Sequence, residues 1–171
     1  MFRRPSPWPS RVLALVCLSS LGSLAMALVA QHYFDVRPCP WCVMQRGVFL
    51  LLGLVAGLGW LLGQLLNRAR ALQLLSLALV TALALAGLAA AVWQHEVAAQ
   101  TASCMGTFAD QVVMALKLDE ILPSVFIATA ACNEAAAYKL LGLPYEVWSG
   151  LLYLAQALGA AWSLRTLLRE R

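Results

Sequence analysis

The 171-residue chain is 62% hydrophobic and only 12% charged, with a mean hydropathy of +0.78. A soluble domain carries about 25% charged residues, and a chain of this size has no interior large enough to hide so much apolar surface, so the lipid bilayer is its natural solvent. The net charge of +4 follows from topology and points to no nucleic-acid partner, and the length suits one compact bundle with no second domain.

Arg3 and Arg4 precede a charge-free stretch over 12–30. Its 19 residues exceed the apolar core of a cleavable signal, about 7–15 residues. The expectation is a retained span, despite the small-x-small triplet Ala25-Met26-Ala27. Cys17 lies inside it and reads as a small buried apolar residue. Further charge-free stretches cover 47–66, 71–93 and 147–164, near the roughly 20 residues that cross a bilayer. None shows strand-like alternation, so helices are expected. The fold class predicted is all-α: an integral membrane four-helix bundle over 1–171, with helices over about 12–30, 44–66, 71–93 and 145–164 and loops over about 31–43 and 94–144. Gly53-x-x-x-Gly57 and Gly59-x-x-x-Gly63 in the second helix offer surfaces on which neighbours approach closely.

Charge asymmetry sets the orientation. If four helices alternate, Arg3, Arg4, Arg11, Arg68, Arg70, Arg165, Arg169 and Arg171 share one side with Glu170 alone. The other side holds Arg37, Arg46, Lys117 and Lys139 against Asp35, Glu96, Asp110, Asp119, Glu120, Glu134 and Glu146. Both termini are therefore expected in the cytoplasm, with both loops outside. Trp8, Trp60 and Trp162 near one set of helix ends, and Trp41, Trp93 and Trp148 near the other, fit interfacial aromatic belts. Within the long loop, Phe108, Val112, Val113 and Leu116 recur at helical spacing over 106–122. Two readings stand side by side: a helix lying on the membrane surface, or a loop helix packed on the bundle.

Besides Cys17, four cysteines fall on the outward side: Cys39, Cys42, Cys104 and Cys132. Cys39-Pro40-Trp41-Cys42 is a C-x-x-C unit without the βαβ pattern of a soluble thioredoxin motif. It stands at the mouth of a membrane helix, where the helix dipole and free N–H groups stabilise a thiolate at Cys42. Arg46, four residues on, shares that helix face and adds a positive charge that favours the thiolate. The bland alternatives are an inert staple for the cysteines and a snorkelling cation for Arg46. Four zinc-ligating cysteines would pair two C-x-x-C units; Cys104 and Cys132, 28 residues apart, suit a loop-closing disulfide better. No metal is expected. Gln94 and His95 stand where the third helix meets the same surface, so His95 is a candidate cofactor-binding residue. A lone histidine there, like His32 at the end of the first helix, is more often simply a structural polar group.

Cys39-Pro40-Trp41-Cys42-Val43-Met44-Gln45-Arg46 resembles the C-x-x-C-x-x-x-R run of the DsbB family of bacterial disulfide bond formation proteins. Pro123-Ser124-Val125-Phe126 is similar to that family's P-x-V-F segment before its last cysteine, and Leu141-Gly142-Leu143 to its approach to the fourth helix. The likeness covers nearly the whole chain. Gln45 stands where a glutamate often precedes the arginine, and the interval from Cys132 to Gly142 is one residue longer than in the best-known member.

The resemblance implies a thiol:quinone oxidoreductase of the bacterial inner membrane with its active cysteines facing the periplasm. A DsbA-like thiol oxidase would attack a Cys104–Cys132 disulfide, forming a mixed disulfide through Cys104. Electrons would then pass to Cys39 and Cys42 and on to ubiquinone or menaquinone near Cys42 and Arg46. A relay of this kind, drained by quinone, keeps the bacterial periplasm oxidising. The alternatives are a related oxidase serving another partner, and a membrane protein whose disulfides only brace its loops. A vitamin K epoxide reductase-like enzyme would carry its C-x-x-C toward the last helix, the reverse of the order here.

Overall fold

The computed structural model describes residues 8–65, 69–101 and 106–169. Arg3, Arg4, Arg68, Glu170 and Arg171 of the charge pattern lie outside the described residues, as does Cys104. In chain order the helices are α1 (Trp8–Tyr33), α2 (Pro40–Leu65), α3 (Ala69–Glu96), α4 (Phe108–Ala115), α5 (Leu118–Ile121), α6 (Pro123–Phe126), α7 (Cys132–Ala136) and α8 (Tyr145–Arg169). A 3-10 turn, Ala98–Gln100, follows α3, and a two-residue hairpin, β1 (Lys139–Leu140) and β2 (Leu143–Pro144), precedes α8.

The architecture is an all-α membrane bundle. Four helices are long and apolar enough to cross a bilayer, and a helix satisfies every backbone group within its own segment, which lipid cannot do for it. They extend past the charge-free stretches at several ends; α1 continues through His32 and α3 through Glu96. The neighbours run α1–α2–α3–α8, while α1 and α8 meet over a much smaller seam. Leu13, Leu52, Ala56, Leu77, Val80, Ala84, Tyr153 and Ala160 form the centre, and leucines such as Leu18, Leu54, Leu58 and Leu158 face outward, where only lipid can receive them.

Small residues set the helix spacing. A Cβ at Gly53 would strike Leu21 of α1, and one at Gly57 would press on Cys17. A Cβ at Gly59 would strike Ser76 of α3, and one at Gly63 would crowd Gln73. The two glycine pairs thus serve two different neighbours. At Gly87 of α3 the close approach admits the ring of Tyr153, which stacks on Phe49 with centroids 4.3 Å apart and planes 9° from parallel. Such a pair contributes about 0.5–1.5 kcal/mol beyond its buried area. The Tyr153 hydroxyl donates to the Gln45 carbonyl at 2.9 Å.

Two expectations are corrected. The helix over 106–122 is broken: Lys117 adopts a left-handed φ of 51° between α4 and α5. α4 packs on α2 through Ala109 and Val113, leaving Phe108 and Met114 exposed. Trp41 belongs to no exposed belt; it is buried in a cluster with Cys39, Cys132 and Ala98, because its C-x-x-C position points it inward. The hairpin has no counterpart in the sequence reading. Its turn, Leu141-Gly142, holds φ values of 53° and 84°, the paired positive angles of a tight two-residue connection.

Candidate active site

Cys39 ends the α1–α2 connection, and Pro40 occupies the first position of α2, where a missing N–H and a fixed φ cost nothing. The Cys39 carbonyl accepts the Val43 N–H at 3.0 Å, and its Sγ accepts the Cys42 N–H at 3.3 Å. The first cysteine is thus the helix cap, a place usually held by an oxygen-bearing side chain. Cys42 lies in the first turn, its Sγ 2.8 Å from that of Cys39; both are free thiols. The Cys39 thiol is pushed well above its ordinary pKa, first by its hydrogen bond to Cys42 and then by burial. Cys39 therefore holds its proton firmly.

A chain of amides supports the Cys42 sulfur. Gln94 of α3 donates to Cys42 Sγ at 3.2 Å and to Cys39 Sγ at 3.6 Å. Its Oε1 accepts from Gln45 Nε2 at 2.8 Å, and Gln45 Oε1 accepts from the Ser149 hydroxyl of α8. Gln45 and Gln94 are both buried, so each amide's orientation is fixed by the next.

Arg46 is also buried. Its Nη1 donates to Gln31 Oε1 of α1 and, at 2.8 Å, to the Val125 carbonyl of α6. Among the described residues these are its hydrogen-bond partners, and they occupy one nitrogen. His32 Nε2 lies 3.1 Å from the Ser124 carbonyl, and Phe126 packs on Val43. The Pro123-Ser124-Val125-Phe126 segment is thereby pinned beside α2 from three directions. A snorkelling side chain would be exposed; this guanidinium instead ties two elements to the cysteine helix.

Cys132 begins α7, is disulfide-bonded, and packs in one cluster with Cys39 and Trp41. The Pro38 carbonyl, next to Cys39, accepts N–H groups from Thr129 at 2.9 Å and Ala130 at 3.1 Å. The segment leading to Cys132 is thus anchored against the start of the C-x-x-C. Cys104, its partner by resemblance, lies outside the described residues. His95 is half exposed and makes a 3.3 Å contact from Nδ1 to the buried Glu146 Oε1 of α8. Glu146, with Cys42, Gln45, Arg46 and Gln94, lines a groove of about 810 Å³ that opens along the weak α1–α8 seam. His95 itself is absent from that lining. Gln31, Gln45, Ser149 and Glu146 carried no role in the sequence reading; their one signal was polarity at the ends of apolar helices.

The family model described as "Disulfide bond formation protein DsbB" matches residues 9–163. The chain belongs to the DsbB family. It is 30% identical over 166 residues to the Disulfide bond formation protein B of Polaromonas sp. strain JS666, covering 95% of each chain. Against that of Azoarcus sp. strain BH72 it is 34% identical, covering 82% of this chain and 83% of the relative. Against Disulfide bond formation protein B 1 of Pseudomonas aeruginosa the identity is 31%, covering 88% and 91%. A DsbB-family chain with four membrane-spanning helices is a multi-pass membrane oxidoreductase of disulfide bond formation, and its reduced C-x-x-C beside a bonded Cys132 is chemistry of that kind.

Proposed function

We propose that this DsbB-family protein re-oxidises a DsbA-like dithiol protein of the periplasm and passes the electron pair to a membrane quinone, ubiquinone or menaquinone. The observation that carries the reading is the groove: apolar along α1 and α8, open at their seam, and ending at Cys42 and Arg46. Its residues fit a hydrophobic ring with polar oxygens, since pockets for such molecules are mostly apolar with a few placed polar groups. The charge asymmetry supports an inner-membrane orientation with both termini in the cytoplasm and both loops in the periplasm.

In this relay the thiolate of the reduced partner attacks the disulfide of Cys104 and Cys132 at Cys104, and Cys132 leaves as a thiolate. The partner's second thiolate then releases Cys104 and closes the partner's own disulfide. Cys104 and Cys132 next exchange with an oxidised Cys39–Cys42 pair, becoming a disulfide again while Cys39 and Cys42 become thiols. Burial of Cys132 with Cys39 supports that hand-over. A bound quinone supplies a two-electron acceptor there. Cys42, reacting as the thiolate, is the donor sulfur; Gln94 orients it. The Arg46 nitrogens not committed to Gln31 and Val125 are available to an oxygen gaining negative charge, as in an oxyanion site.

Purified protein mixed with a reduced DsbA-like partner and a short-chain ubiquinone analogue should form one quinol per partner disulfide. Intact loop disulfides with no quinol formation would leave them a bracing role only. Trapping on non-reducing gels tests the entry point: Cys132→Ser should hold a mixed disulfide through Cys104, and Cys104→Ser should hold none. Equal trapping by both would overturn these roles.

A further inference from the structure

Oxidation of the inner pair leaves a proton unaccounted for. Converting a Cys39 thiol and a Cys42 thiolate to a disulfide while a quinone becomes quinol moves two electrons and requires two protons on the quinol. Cys39 releases one. The second enters from outside the pair whenever Cys42, whose sulfur accepts from Gln94 Nε2 at 3.2 Å, reacts as the thiolate. Apolar residues of α1 and α8 line most of the groove beside Cys42, so a side chain of that lining able to hold and release a proton is its natural carrier.

We infer that Glu146, recharged by His95, is the proton entry of this site. The inference rests on the quinone reading above and concerns a step that reading leaves open. Glu146 is 5% exposed yet lines the same groove as Cys42 and Arg46. It stands in the first turn of α8. His95 of α3 touches it at 3.3 Å, with a side chain 48% exposed against 2% for that of Glu146. One partner therefore meets water and the other meets the groove. A buried carboxylate whose partner is a half-exposed imidazole is a costly arrangement to maintain for packing alone, and imidazole is the side chain that exchanges protons near neutral pH. The Ser149 hydroxyl oxygen lies 2.9 Å from the Glu146 carbonyl, one turn along α8. The other ionisable groups lining the groove are Cys42 and Arg46 of α2, Arg37 of the α1–α2 connection and Tyr145 beside Glu146. Arg37 and Arg46 are cations that keep the site from holding an unopposed negative charge once the proton has left. The Glu146 carboxyl gives its proton to the oxygen that gains negative charge. Its carboxylate takes a replacement from the His95 imidazolium, and His95 refills from water.

The test uses full-length protein in detergent with Cys39 and Cys42 pre-reduced. Mixed with a short-chain ubiquinone analogue, Glu146→Gln should oxidise the pair roughly 10²-fold more slowly than the parent, within the range of a lost general acid. Formate or azide should restore much of the rate. Thiol exchange with reduced partner should change less than twofold. Infrared spectra of the quinone-free protein give a readout independent of turnover: a carboxyl band that titrates in the parent should vanish in Glu146→Gln and shift its midpoint in His95→Gln. Should Glu146→Gln fail to fold, the half-exposed His95→Gln carries both measurements, with slower oxidation and a displaced carboxyl midpoint expected. A normal rate in Glu146→Gln, a slow rate that small acids do not rescue, or a carboxyl band indifferent to His95 would each overturn the proton route. Parent protein that reduces no quinone while exchanging disulfides normally would instead overturn the quinone reading beneath it.

Discussion

At mid-bundle, Gly59 faces Ser76, Gly87 faces Tyr153, and Leu52, Ala56, Leu77 and Val80 fill what remains. At the cysteine-bearing end, Gln45, Arg46, Gln94 and Glu146 are all buried and line one groove with Cys42. The first region is held by shape and the second by hydrogen bonds. Between helices in lipid there is no hydrophobic drive, so small residues and close packing supply the attraction. A buried polar group, by contrast, costs free energy unless it is paired. The cysteine end therefore survives only as a connected set, from Ser149 through Gln45 and Gln94 to Cys42. Fixed polar groups of that kind are also what redox chemistry needs, which is why the reactive sulfurs sit where the bundle is hardest to build.

Changes at four positions break or sharpen this contrast. Cys42→Ser should have the largest effect, cutting disulfide formation by on the order of 10³-fold or more, as loss of a nucleophile does, with little change in thermal stability. A rate assay on reduced partner beside a melting curve checks both halves of that expectation. Arg46→Ala comes next. It should raise the apparent KM for a quinone analogue by about 10- to 100-fold, equivalent to the roughly 1.5–3 kcal/mol of a hydrogen bond to a charged group. It should also open the Val125 segment to protease, since Nη1 no longer holds that carbonyl. Arg46→Lys should do less of each, because an ammonium lacks the planar fork. Unchanged quinone kinetics and unchanged cleavage in Arg46→Ala would reduce this residue to a buried spectator.

Gly87→Val attacks the other region. Its side chain would enter the space of the Tyr153 ring, and overpacking of that kind costs about 1–3 kcal/mol. Denaturation in detergent should show the loss, while turnover per folded molecule stays near that of the parent. If turnover fell with stability preserved, shape and chemistry would not be separable between the two regions. Leu141→Gly should have the smallest effect and the opposite sign. Leu141 holds a φ of 53° and is 85% exposed, a conformation costly for a branched side chain. Glycine there should stabilise by up to about 1 kcal/mol with activity unchanged, the gain from relieved strain being offset in part by a freer unfolded chain.

Much of the site was legible before any coordinate. Cys39, Cys42 and Arg46 follow from a C-x-x-C run ahead of a charge-free stretch, because helix periodicity puts Cys42 and Arg46 on one face whatever surrounds them. Gln94 lay in view, next to a candidate histidine, with no signal that its amide reaches both sulfurs. Trp41 was misplaced because tryptophan frequency at membrane edges says nothing of which way one ring points. The break at Lys117 was hidden because its flanking apolar residues keep helical spacing on either side.

The sequence alone determined that this chain lives in a membrane, crosses it with four helices and keeps its C-x-x-C at a helix mouth. Those features depend on composition, run length and local spacing, which no tertiary contact alters. Only the tertiary structure decided which glycine pair faces which neighbour, that α1 and α8 part to form a groove, and that Gln45, Gln94, Ser149 and Glu146 from three helices converge beside the thiols. Residues 45, 94 and 149 are brought together by helix packing, and packing is set by the sum of many side-chain shapes, a quantity no local pattern records.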